Sequence, residues 1–194
     1  MVSKDREYRA FEMRAAEGDE LRVEGYAAVF NQETVLYSYD GIDYKELIEP
    51  EAFRGAEMSD VVMNYNHEGK PVARTKNGTL KLSTDEHGLF IKADLSGTEE
   101  GRRLYEEIKG GYIDKMSFAF TVSEDSYDRD THTRKVRRIK RLYDVAAVDI
   151  PAYDATEISA RSWVEAEAEA QRMAEAREQK AKKLRLKIKM EEIA

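Results

Sequence analysis

Large apolar side chains recur at every second position in KMSFAFTV, residues 115–122: Met116, Phe118, Phe120 and Val122. That is the period of a half-buried β-strand. Ser117, Ala119 and Thr121 fall on the other face, because successive strand side chains point oppositely. One face is thus bulky and the other small, with a hydroxyl at its start. A serine there is a tolerated edge filler on the plain reading, and on the sharper one the small face is kept open for a substrate.

The same patterning predicts strands at 7–14 (EYRAFEMR) and 21–30 (LRVEGYAAVF), joined by a polar turn around Gly18-Asp19. A loop-rich stretch runs to Asp43, followed by a short helix opening at Pro50 in IEPEAFRGA, where proline forfeits no hydrogen bond. A short strand over 61–65 leads into a turn, and TLKLSTDEHGLFIKADL reads as a hairpin turning at DEHG. Ser96 and Glu99 match a capping box. The helix they open carries Leu104 and Ile108 four apart and stops at Gly110-Gly111. The polar turn DRDTHT separates the Ser117 strand from RKVRRIKRLYDVAAVDIPA, which is long enough for a bent strand or two.

Many strands and two short helices predict a mostly β, α+β fold: an antiparallel β-barrel, closed or partly open, with short helices outside it. After Arg161 the composition turns to Ala, Glu and Lys without Gly or Pro, which predicts a solvent-facing helix. The chain therefore divides into a domain over 1–162 and a charged C-terminal extension over 163–194. The basic end of the extension, Lys180 to Lys189, fits both strand and helix spacing. A solvated helical extension is the plainer reading, and a docking or tethering segment the alternative.

Composition narrows the chemistry. With 194 residues the chain is long enough to bury a core. A net charge of −7 leaves no basic excess to neutralise a phosphate backbone, which argues against a nucleic-acid partner. The absence of cysteine removes disulfides, thiolate metal sites and a cysteine nucleophile together. Neither a signal-like start nor an 18-residue apolar run occurs, so a soluble cytoplasmic protein without a membrane partner is expected. The three histidines are dispersed and no HExxH occurs, and the glycines form no nucleotide-binding pattern. Neither a metal nor a cofactor is expected.

Three residues carry candidate chemistry. His87 and His132 sit in polar turns, where solvation explains them, whereas His67 lies just past a strand in NYNHEGKPVAR. A serine hydroxyl is a poor nucleophile until a base within hydrogen-bond reach removes its proton. That base needs a partner to fix its tautomer. Asp144, embedded in the apolar strand RLYDVAAVDIPA, is placed by simple alternation on the face of Leu142, Ala146 and Val148. Burying its charge alone would cost several kcal/mol, so it requires a partner. A salt bridge to Arg137, Arg138 or Arg141 is the ordinary solution. Asp149, beside Ile150-Pro151, reads as a turn former.

The succession NxNH, then KMSFAF, then LYDVAAVDIPAYDATEISAR resembles the prohead maturation proteases of tailed bacteriophages, a family related in fold to the herpesvirus assemblins. The likeness spans roughly residues 5 to 162, with EGYAAVFN and IEPEAF among its openings, and leaves the tail outside. It implies a serine endopeptidase on an assemblin-like β-barrel ringed by helices, with His67 as base, Ser117 as nucleophile and Asp144 as third member. The family segment of leucine, any residue, acid, valine and serine is here Leu142-Tyr143-Asp144-Val145-Ala146. The family often has glutamate at the acid, and the assemblins a second histidine. Substrates implied are scaffold, the scaffold-like part of the major capsid protein, and the protease itself, inside the immature capsid in the host cytoplasm. Self-association as a dimer follows by analogy with assemblins. Backbone N–H groups near Arg137-Arg138 are a candidate for the oxyanion donors. The alternative is a capsid assembly or scaffolding protein that keeps the fold and binds subunits without cutting.

Overall fold

The computed structural model describes residues 6–16 and 21–149, together with the isolated positions 173, 177, 180 and 182. The predicted boundary after residue 162 and the helical extension over 163–194 therefore fall outside the described residues, those four positions aside.

Up to residue 149 the described chain forms ten strands and one α-helix: β1 (Glu7–Ala15), β2 (Arg22–Val29), β3 (Thr34–Tyr39), β4 (Ile42–Ile48), β5 (Val62–Tyr65), β6 (Glu68–Arg74), β7 (Leu80–Thr84), β8 (Gly88–Asp94), α1 (Glu99–Lys109), β9 (Lys115–Asp128) and β10 (Thr133–Val148). The strands pair in the order β3-β4-β10-β9-β1-β2-β8-β7, and β5, itself paired with β6, branches from β10. The predominance of strand agrees with the sequence pattern. Closure does not: β3 and β7 end an open path. Nor is the sheet wholly antiparallel, since β10 pairs in parallel with β4 through Thr133–Val136 and with β5 through Asp144–Ala147. A strand of 16 residues is long enough to take two short neighbours on one edge. Both connections leave β4 and β5 pointing the same way as β10.

Local differences from the sequence reading have identifiable causes. The stretch taken for loop before Asp43 is the hairpin β3–β4, turned by Asp40 and Gly41 at φ 51° and 77°. Two positive φ values in a two-residue loop match the twist of the flanking strands. The segment from Pro50 forms successive turns rather than a helix. Its bonds run over three residues, as in Ala52 N–H to Glu49 C=O, and Gly55 at φ 79° stops it. Helix α1 is capped by Thr98, whose Oγ1 accepts from Gly101 N–H at 2.9 Å, not by Ser96. Ser96 N–H instead donates to Asp94, which turns the chain out of β8.

Met116, Phe118 and Phe120 are fully buried in one core cluster with Val23 of β2, Leu89 and Ile91 of β8, and Leu104 and Ile108 of α1. Each such side chain contributes about 1.5–3 kcal/mol by leaving water. On that same face, Arg9 stands opposite Phe118 and Glu7 opposite Phe120. Arg9 donates twice to Glu46 of β4 at 2.6 Å, and Arg134 of β10 donates to both Glu46 and Glu7. This buried ion network ties β1 to β4 and β10 across the sheet. Its charges are compensated, and a shift of any one strand would strand one of them. The bulky face of β9 is thus fixed as the inside, which leaves the small face for the site.

Candidate active site

Strand register assigns the neighbours of Ser117. Ala10 of β1 and Ala146 of β10 lie opposite it, and Asn64 of β5 lies opposite Ala146. Two residues along, Tyr8, Ala119 and Asp144 form the next row. Residues opposite one another share a face, so Ser117, Ala146, Asn64, Tyr8 and Asp144 all project from the side away from the Phe118 core.

Asp144 reaches this face through an irregularity. Leu142 pairs with Phe120 but Asp144 with Ala119, so the register slips between them. The bulge absorbs Tyr143 and puts Leu142 in the core and Asp144 on the site face, whereas simple alternation had put both on one side. Ala146 does share the face of Asp144. The arginines offered as salt-bridge partners are engaged elsewhere: Arg137 lies near Glu49 and Glu124, Arg138 donates to Glu51 C=O, and Arg141 stacks on Tyr143. Asp144 pairs with His67 instead, with Oδ1 2.5 Å from Nδ1.

His67 occupies the tip of the β5–β6 hairpin. Tyr65 pairs with Glu68, so Asn66 and His67 form a two-residue turn, both at positive φ (50° and 61°). Asparagine tolerates the first position, but the second ordinarily takes glycine. A histidine held there costs about 1–2 kcal/mol of backbone strain. Tyr8 packs edge-on against the imidazole, with ring centroids 4.6 Å apart. Burial, helped by the charge of Asp144 and opposed by Arg6, raises the Tyr8 phenol pKa.

The pairing fixes the proton. An ionised carboxylate only accepts, so a neutral imidazole facing Asp144 carries its hydrogen on Nδ1 and presents a lone pair at Nε2. That nitrogen is buried and has no hydrogen-bond partner. Neither does Ser117 Oγ, in a residue only 1 % exposed. No hydrogen bond joins the two groups. The face expected to stand open is covered in this conformation, for Ala119 is fully buried and Thr121 nearly so.

Buried polar atoms without partners are rare in folded proteins. Among the described residues such atoms are Arg6 Nε, Asn64 Oδ1, His67 Nε2, Ser117 Oγ and Thr121 Oγ1. Asn64, Ser117 and Thr121 share the site face by register, Arg6 precedes β1 in phase with Tyr8, and His67 touches both Tyr8 and Asp144. Unmet hydrogen-bonding capacity is therefore collected on one side of the sheet. Asn64, Tyr8 and Thr121 were not singled out from the sequence. Asn64 was quoted there only as company for His67, and the alternation Ser117-Ala119-Thr121 was the signal available for Thr121.

The other sequence candidates lie apart. His87 packs on Tyr26 and His132 on Tyr44, each in its turn. Asp149 accepts a hydrogen bond from Tyr65 Oη at 2.9 Å. Arg138 stands eight residues along β10 from Ala146, roughly 25 Å at strand rise, so its backbone is remote from Ser117. The Arg137-Arg138 segment is therefore ruled out as the source of oxyanion donors. No cluster of three or more metal-ligating side chains occurs among the described residues, and none of their helices is long and apolar enough to cross a membrane. The His67 turn also walls a groove of about 870 Å³ against α1, lined by Tyr65, Asn66, Glu68, Leu104, Tyr112 and Ile113 among others.

Comparison with known proteins gives two findings. The profile of the family described as caudovirus prohead serine protease matches residues 9–172. Among solved structures, the capsid assembly protease of bacteriophage T4 is similar in fold, with a TM-score of 0.52 at 14% identity, covering 76% of this chain and 98% of that one. No curated protein matches the sequence significantly.

Proposed function

Because the chain belongs to the caudovirus prohead serine protease family, we propose that Ser117, His67 and Asp144 form its catalytic triad. The reaction follows from the tautomer. His67 Nε2 accepts the Ser117 proton as Oγ attacks the scissile carbonyl, and the carbonyl π electrons move to its oxygen. Asp144 holds the Nδ1 hydrogen and stabilises the imidazolium. Collapse of the tetrahedral intermediate breaks the C–N bond, and Nε2–H delivers its proton to the departing amine. Water then repeats the sequence against the acyl-serine, with His67 again as base, and releases the acid.

The observation that carries this reading is the 2.5 Å His67–Asp144 contact on the face of Ser117, with the basic nitrogen and the hydroxyl both otherwise uncommitted. Alanines stand beside Ser117 in both adjoining strands, so no large neighbouring side chain crowds the nucleophile. The substrate class we propose is the scaffold, or the scaffold-like segment of the major capsid protein, together with the protease itself. The setting is the immature capsid in the host cytoplasm, and self-association as a dimer belongs to the same reading. The segment beyond residue 162 is proposed as a separate extension that aids packaging or substrate capture.

Co-expression of the Ser117→Ala variant with the capsid protein of the same phage tests the assignment. Masses of the products should remain those of the uncut proteins, since loss of the nucleophile removes on the order of a million-fold in turnover. Unchanged processing by that variant would overturn it. A scaffold that merely binds would instead give uncut, co-purified capsid protein with the unmodified chain as well.

A further inference from the structure

We infer that Asn64 holds the substrate: its side-chain carbonyl oxygen accepts the main-chain N–H of a residue adjoining the scissile bond. The inference rests on the triad proposed above and adds a binding group to that site. Asn64 is 7 % exposed, and its Oδ1 is buried without a hydrogen-bond partner. It stands in the row Ala10–Ser117–Ala146–Asn64, on the face of the nucleophile. Met63, the residue before it in β5, is fully buried on the other side, as alternation requires.

An apolar residue would serve the fold better here, because a buried acceptor with no donor is a net cost. The retained carboxamide calls for a ligand that brings a donor. A free oxygen cannot stabilise an oxyanion, which it would repel, so Asn64 Oδ1 is no part of an oxyanion hole. Nor does it take a proton from His67, whose Nε2 bears the lone pair. What an extended peptide offers at that spot is its backbone N–H. Ser117 and Asn64 are two strands apart, about 10 Å between backbones, with only the Ala146 methyl between them. With that face uncovered, this is the spacing at which one extended chain could lie midway, its carbonyl toward Ser117 and a neighbouring N–H toward Asn64.

The test uses the full-length purified chain, with Asn64→Leu as an isosteric apolar replacement and a synthetic peptide spanning a cleavage site mapped by mass spectrometry on the capsid protein. A small fluorophosphonate, which carries no peptide N–H, should label Ser117 at the same rate in both proteins. Turnover of the peptide should fall by about 10- to 100-fold in kcat/KM, the effect of leaving one substrate donor unpaired. The melting temperature of the variant should equal or exceed that of the parent. In a peptide series with each N–H near the scissile bond replaced in turn by an ester oxygen, one position should cost the parent a similar factor and the variant nothing further. Labelling that falls in step with turnover, a lowered melting temperature, or an ester penalty preserved in the variant would each overturn the role given to Asn64. Absence of Ser117 labelling in the parent would instead refute the triad beneath it.

Discussion

Replacing Asp144 by asparagine changes one atom and isolates the function of the carboxylate. In the parent, Oδ1 lies 2.5 Å from His67 Nδ1, and the two side chains are 10% and 15% exposed. Both groups are therefore largely out of water, where the pairing governs the tautomer. An asparagine of the same size can turn its NH2 toward Nδ1. The imidazole hydrogen then moves to Nε2, and the lone pair that the proposed triad needs to accept the Ser117 proton is gone. In serine–histidine–aspartate sites this replacement lowers kcat by about 10⁴. At 1.36 kcal/mol per tenfold, that is about 5.4 kcal/mol of transition-state stabilisation. Folding should change far less, by about 1 kcal/mol or under, because the amide fits the same space and removes a mostly buried charge. The assay pairs a thermal melt with single-turnover cleavage of the capsid protein, followed by gel and mass. Retention of more than a tenth of the parent rate, in a variant that melts normally, would refute the claim that Asp144 sets the His67 tautomer.

Two further outcomes follow from the geometry. Ala146 is fully buried between Ser117 and Asn64, so Ala146→Leu should cut turnover by at least about 100-fold, while overpacking costs about 1–3 kcal/mol. A titration of Ser117 with fluorophosphonate and a urea melt would separate the two effects. Glu7 concerns pH. Burial pushes its pKa up, but the hydrogen bonds and charges of Arg134 and Arg9 prevail and hold it below the ordinary 4.5. A depressed carboxylate stabilises the fold above the unfolded value and loses that contribution as pH falls through the folded one. Glu7→Gln should therefore be less stable than the parent by about 1.5–3 kcal/mol at pH 7. The difference should shrink as the pH drops below about 4.5, and melting temperatures from pH 7 to 3 that stayed parallel would contradict it.

The sequence by itself determined what depends on short-range periodicity. The alternation of Met116, Phe118 and Phe120 against Ser117, Ala119 and Thr121 established β9 and its two unlike faces, and the Asp85–Gly88 hairpin turn and the stop at Gly110 were equally local. His67, Ser117 and Asp144 were legible as candidates because three motifs stood in family order. That His67 and Asp144 meet on the face of Ser117 was not legible, because it arises from pairings between residues 25 to 82 positions apart. The parallel ladder from β10 to β5 brings the His67 hairpin beside Asp144, and a one-residue register slip at Tyr143 rotates that aspartate out of the Leu142 face. Periodicity assumes unbroken alternation, so a bulge reverses its answer on one side. The value of Asn64 was hidden for a related reason, since a residue's unmet hydrogen-bonding capacity depends on which strands come to lie around it. Tertiary structure decided these points because burial and strand register are properties of the assembled sheet, and no window of the chain contains them.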